Sequence, residues 1–130
     1  MIVQTARTWV GVPFRDKGRT RAGVDCVGLL IAVARELDYP VEDVRNYGRV
    51  PVPEQMGTEL ERQMDRIAIG QAEPGDVFWF AWRRHPSKPV RPQHLGIYTG
   101  IGVIHATEAF GEVVEHPVNQ GWTGKIEVGS

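Results

Sequence analysis

Cysteine is almost absent: among 130 residues only Cys26 carries a thiol, so no internal disulfide can staple the chain whatever its redox surroundings. That thiol is either inert packing or chemistry. An excess of one charge is also missing. Fifteen basic against sixteen acidic residues give a net charge of −1, which removes the global electrostatic footprint of a nucleic-acid binder. The longest apolar run, Val27 to Ala34, falls far short of the roughly 20 residues that a membrane span needs. Met1 to Arg7 has no basic segment leading into an apolar one, so no secretory signal is expected there and any export takes another route. Repeats and low-complexity tracts are lacking too, and 42% hydrophobic with 24% charged residues suits an ordinary globular chain. At this length one domain, residues 1–130, is expected.

What is present changes character along the chain. Ile2, Val3, Ala6, Trp9 and Val10 share one helical face, which predicts a short helix from Met1 to Val10, ended by Gly11 and Pro13. Phe14 to Val24 reads as a loop, because Gly18 and Gly23 loosen the backbone and Arg15, Lys17, Arg19 and Arg21 cannot pack in a core. Asp25 is a good N-cap for a helix to Leu37, with Cys26, Leu29, Leu30, Val33 and Leu37 as an apolar stripe. Val27, Ile31 and Ala34 make its other side apolar as well. This helix should be central and buried, with Pro40 stopping it. Met56, Leu60, Met64 and Ile67 predict a more exposed third helix over 55–67.

Beyond the turn signal Glu73-Pro74-Gly75-Asp76 the pattern becomes β, with strands expected at Val77 to Trp82, His94 to Thr99, Gly102 to Thr107, Val113 to His116 and Trp122 to Val128. Helices first and strands after, joined by connections too short for parallel crossovers, predict an α+β domain with N-terminal helices packed on an antiparallel sheet. A long Pro-rich basic segment, Arg83 to Gln93, separates the first two strands, and connections of that length often serve function.

Cys26 falls in the first turn of a helix, where unpaired amides and the macrodipole favour an anion and lower a thiol's pKa, while the adjacent Asp25 charge opposes this. A lone cysteine is also commonly a small buried hydrophobe. The decision rests on its partners, because a thiol nucleophile needs a base and a third group that fixes the base's tautomer. Four histidines are available. His85 and His116 precede prolines near loops or strand ends, where exposure is the default, so they are set aside.

His94 and His105 are better placed. A two-residue hairpin turn at Gly100-Ile101 pairs Thr99 with Gly102, Gly96 with His105 and His94 with Thr107, which puts both histidines on one face as diagonal neighbours roughly 7 to 8 Å apart by backbone. The opposite face then carries Leu95, Ile97, Ile104 and Ala106, all apolar. Gly96 beside His94 leaves room for the approach of a helix end. One Cys, two usable His and no clustered acid make a poor zinc set, so neither a metal nor another cofactor is expected.

Five segments in order resemble the NlpC-type family of papain-like cell-wall cysteine peptidases. They are Trp9 to Arg15, Asp25-Cys26-Val27-Gly28-Leu29-Leu30, Pro74-Gly75-Asp76-Val77, His94-Leu95-Gly96-Ile97-Tyr98 and Val103-Ile104-His105-Ala106. The resemblance runs from Thr5 to about Ala106. It implies a papain-like fold with Cys26 as nucleophile, His94 as general base and His105 as the orienting residue. It also implies that Asp25 holds the free amine of a substrate peptide. Three departures stand out. Phe14 replaces the family's usual tyrosine and cannot donate its hydrogen bond. Val27 replaces a small serine and reshapes the adjoining substrate pocket, and Asp16-Lys17-Gly18 replaces the usual Gly-Gly.

The function so implied is a cysteine endopeptidase that hydrolyses peptidoglycan stem-peptide amides. A lean chain of this kind is similar to members carried on phage tails or gene-transfer particles, which would make particle proteins its partners and the periplasm its place of action. An amidase or acyltransferase could use the same Cys and His. A structural tail-tip subunit with decayed chemistry would suit the Phe14 and Val27 changes, and thiol reactivity separates it from the enzymes. A nucleic-acid module would rest only on the basic stretches Arg15 to Arg21 and Arg83 to Arg91. Both stretches are expected to open near the site, either to hold stem-peptide carboxylates or as solvated or docking surface.

Overall fold

The computed structural model describes residues 1–43, 69–81, 94–117 and 127–129. The expected third helix over 55–67 and the Pro-rich segment 83–93 lie outside these, as does most of the expected strand at 122–128. The central helix α2 (Cys26–Glu36) starts as its sequence dictates: Asp25 is extended, and its carboxylate accepts from the Gly28 amide at 2.7 Å. Its far end differs from expectation. Asp38 adopts a left-handed conformation with φ of +57°, and the amides of Asp38 and Tyr39 donate to the carbonyls of Arg35 and Ala34 at 3.1 and 2.8 Å. This Schellman pattern satisfies the orphan carbonyls and ends the helix before Pro40 can act.

The first helix, α1 (Ile2–Arg7), is shorter than its apolar stripe suggests. Residues 8–11 form turns, with the Trp9 and Val12 amides bonded to the carbonyls of Ala6 and Trp9. Trp9 is still buried, so the stripe reports packing rather than helix length.

The basic stretch is ordered, contrary to its reading as a loop. It forms a small antiparallel hairpin, β1 (Arg19–Thr20) with β2 (Gly23–Val24). Glycine makes this possible: a Cβ on Gly28 would fall 1.9 Å from the Gly18 carbonyl oxygen, so the hairpin backbone lies directly on the first turn of α2. Arg19 also overturns the expectation that no cation here packs inside. Its side chain is 3% exposed and is compensated by Asp25 at 3.2 Å and Asp43 at 2.9 Å.

The expected antiparallel sheet is present, in the order β6-β5-β4-β3-β7. Its strands are β3 (Val77–Ala81), β4 (His94–Tyr98), β5 (Val103–Thr107), β6 (Glu112–His116) and β7 (Glu127–Gly129). Gly100 takes the positive φ of +95° that the two-residue turn needs, and Ile97 pairs with Ile104, the register the sequence implies. On one face Ile97, Ile104, Ala106 and Val113 meet Ala6, Leu29, Ala32 and Val33 of the helices in the main core. Each large aliphatic buried there contributes about 2 kcal/mol. A smaller cluster of Phe78, Phe80 and Val103 forms separately, and the histidines lie with it. Among the described residues no helix is long and apolar enough to cross a membrane.

Candidate active site

His94 opens β4 and His105 lies mid-β5, and both are buried. The hairpin register makes them diagonal neighbours, as expected, and their rings touch edge to face with His94 Nε2 2.6 Å from His105 Nδ1. The space beside Gly96 also serves the second imidazole. A Cβ there would meet the His105 Cβ and the Ile104 carbonyl oxygen at 3.3 Å and the Phe80 ring at 3.5 Å. Gly96 thus lets the second imidazole settle against the first.

Two residues extend this pair beyond what the sequence suggested. Phe80 pairs across the sheet with His94, is fully buried, and tilts its ring against both imidazoles at centroid distances of 5.8 and 6.4 Å. Its signal was the alternation of Phe78 and Phe80 along β3. His116, expected as an exposed strand-end residue, belongs to the cluster: its Nε2 is 2.7 Å from His105 Nε2, and its Nδ1 is 3.0 Å from the Pro117 carbonyl oxygen. The register explains this. His105 pairs with Val114 and Val103 with His116, so His116 shares the face of His105. His85 lies outside the described residues.

Burial sets the protonation states. Desolvation lowers His94 to about 4 and, with the neighbouring imidazoles His94 and His105's other partner His116, lowers His105 to about 3, so both rings are neutral at neutral pH. Cys26 moves the opposite way to expectation: burial and then the Asp25 charge push its thiol up to about 12. The backbone amides of Leu95, Val27 and Cys26 near the sulfur pull downward, but desolvation outweighs the helix start. The resting state is therefore a neutral thiol near neutral imidazoles. The Leu95 contact also fixes where the sulfur lies, against the peptide that joins His94 to Leu95.

Asp25 is engaged within the protein. It is 5% exposed, and its carboxylate accepts from the Gly28 amide at 2.7 Å, the Lys17 amide at 2.8 Å and Arg19 at 3.2 Å. In the structure it caps α2 and anchors the hairpin. Phe14 is half-buried against the main core, its amide donating to the Gly111 carbonyl at 2.8 Å, and Val27 is half-buried in the first turn of α2. Arg21 stacks over Trp9 at 4.0 Å and bonds Glu36 at 3.2 Å, so with Arg19 it is already engaged rather than held out for a ligand. Arg83 to Arg91 lie outside the described residues.

The chain is 28% identical over 109 residues to the probable endopeptidase NlpC of Escherichia coli (strain K12), covering 81% of this chain and 59% of that protein. The NlpC/p60 domain of the peptidoglycan hydrolase SagA superposes with a TM-score of 0.66 at 24% identity, covering 98% of this chain and 93% of that one. RipD of Mycobacterium tuberculosis, a non-catalytic NlpC/p60 domain protein adapted to peptidoglycan binding, superposes with a TM-score of 0.63 at 16% identity over 98% and 91% of the two chains. The family model for NlpC/P60 matches residues 11–128, nearly the whole length. With that span and an α+β fold shared with its solved relatives, the chain belongs to the NlpC/P60 family.

Proposed function

We propose that this chain is a cysteine peptidase that cuts amide bonds in peptidoglycan stem peptides. The observation that carries the reading is the imidazole pair joined at 2.6 Å, supported by the Leu95 amide, next in the chain to His94, acting on the Cys26 sulfur. His94 Nε2 is engaged with His105, which leaves Nδ1 as the base. Because the resting groups are neutral, proton transfer accompanies attack: the Cys26 sulfur bonds to the amide carbonyl carbon as His94 takes the thiol proton. The Cys26 backbone amide, at the helix start, stabilises the oxyanion. His94 then gives the proton to the leaving amine as the C–N bond breaks. Water, deprotonated by His94, attacks the thioester and releases the acid and the free thiol.

As part of the same proposal the hydrolase rides on a phage tail or related gene-transfer particle. Proteomics of purified particles tests this. The hydrolytic reading is tested by digesting purified peptidoglycan and identifying the released muropeptides by mass spectrometry. New free amine and carboxyl ends within stem peptides are expected, and their absence with intact binding to the sacculus would overturn it. A second reading, a non-catalytic peptidoglycan binder, is favoured by one observation, the Cys26 thiol held up at about 12. That digest separates the two.

A further inference from the structure

His116 carries no role in the scheme above, yet it ends a chain of three imidazoles whose hydrogens can be assigned from one fixed point. The Pro117 carbonyl oxygen can only accept, so the His116 Nδ1 that meets it at 3.0 Å bears a hydrogen. In its neutral form His116 then has an acceptor at Nε2, and the 2.7 Å contact places the hydrogen on His105 Nε2. His105 Nδ1 is an acceptor in turn, and the 2.6 Å contact places the hydrogen on His94 Nε2. Each ring nitrogen's state follows from the bond that the other nitrogen makes. Burial keeps both inner rings neutral, so each carries one hydrogen and the assignment runs inward from the neutral form of His116.

We infer that His116 is a positioning residue: through Pro117 it fixes the tautomers of His105 and His94 so that His94 presents an unprotonated Nδ1, the nitrogen able to take the Cys26 proton. The backbone holds His116 for this task. A Cβ on Gly102 would fall 2.2 Å from the His116 carbonyl oxygen, so the start of β5 presses directly on that residue. Phe110 flanks the chain with its ring 5.8 Å from His116 and 6.4 Å from His105. Without the His116 acceptor, His105 can place its hydrogen on either nitrogen, and the alternative puts the hydrogen of His94 on Nδ1, facing the wrong way for a base.

The catalytic part of this inference rests on the proposed peptidase reading, whereas the tautomer part does not. The test compares wild type, His116→Phe and His116→Gln, whose amide oxygen can replace the lost acceptor. Two readouts are used: ring 15N spectra and the rate of Cys26 alkylation by iodoacetamide at neutral pH. Expected are a single tautomer of His94 with hydrogen on Nε2 in wild type and His116→Gln, and a mixture in His116→Phe. Alkylation should fall by about tenfold to a hundredfold in His116→Phe, the usual weight of an orienting partner, and recover in His116→Gln. Should the phenylalanine variant not fold, wild type alone decides, since hydrogen on His94 Nδ1 there overturns the assignment. Unchanged tautomers and alkylation in a folded His116→Phe also overturn it. Failure to digest peptidoglycan with the tautomer pattern intact counts against the peptidase reading alone.

Discussion

Between His94 Nε2 and His105 Nδ1 there is 2.6 Å, a separation that accommodates one shared hydrogen and no more. His105 therefore acts on the reaction through the base and not on the substrate. His105→Asn, whose side-chain oxygen can take the place of Nδ1 as acceptor, should keep a measurable fraction of turnover. His105→Ala should lose about 10²-fold or more in kcat with little change in KM. Steady-state kinetics on a stem peptide checks the split, and equal loss in both variants would mean that the imidazole does more than orient.

Cys26→Ala and His94→Ala should each abolish turnover while circular dichroism and the thermal transition stay close to wild type. The two residues sit at the first positions of α2 and β4, where truncation removes chemistry without opening the main core. Turnover in His94→Ala within tenfold of wild type would point to a different base.

Stability should depend on pH in a direction that the buried rings fix. His94 titrates at about 4 and His105 at about 3 when folded, both below the ordinary 6.5. As pH falls below about 6.5 the unfolded chain takes up protons that the folded rings refuse, so stability declines until the folded values are reached. For His94 alone the loss is on the order of 3 kcal/mol. Cys26 gives the mirror effect: its thiol, about 12 when folded against an ordinary 9.0, costs stability as pH rises above about 9. Urea midpoints across pH should show both declines. The acid one should flatten in His105→Asn and the alkaline one in Cys26→Ala.

Arg19→Ala should destabilise the fold by about 3 to 5 kcal/mol, because it leaves the Asp25 and Asp43 carboxylates without their buried cation. Arg21→Ala, whose Glu36 pair is exposed, should cost about 1 kcal/mol or less. Neither should change KM selectively for a carboxylate-bearing peptide over its amidated analogue. A selective effect of Arg21→Ala would restore the reading of this hairpin as a substrate clamp.

Periodicity and cap chemistry made α2 and the β4–β5 register legible, and with them the His94–His105 pair, because both depend on local residue choices such as Asp25 and Gly100. The end of α2 was not legible, since Asp38 accepts a left-handed conformation that the sequence pattern assigns first to glycine. Arg19 was missed for a tertiary reason: its two carboxylate partners lie six and twenty-four residues away, and only their convergence makes burial affordable. His116 was misread because a strand-end position before proline says nothing of what faces it across β5. For the Cys26 thiol the sequence shows the helix start and the opposing Asp25 charge, whereas the surrounding desolvation, a property of the assembled fold, sets its direction.

The central claim is covalent catalysis at Cys26, and trapping the acyl-enzyme tests it most directly. Wild-type protein mixed with a stem-peptide substrate, acid-quenched within the first turnover, should show by intact mass spectrometry a thioester adduct equal to the acyl half of the cleaved peptide. Peptide mapping should place that adduct on Cys26, and Cys26→Ala should give neither adduct nor cleavage. Cleavage by Cys26→Ala at the wild-type rate, or a different residue bearing the acyl group, would contradict the account.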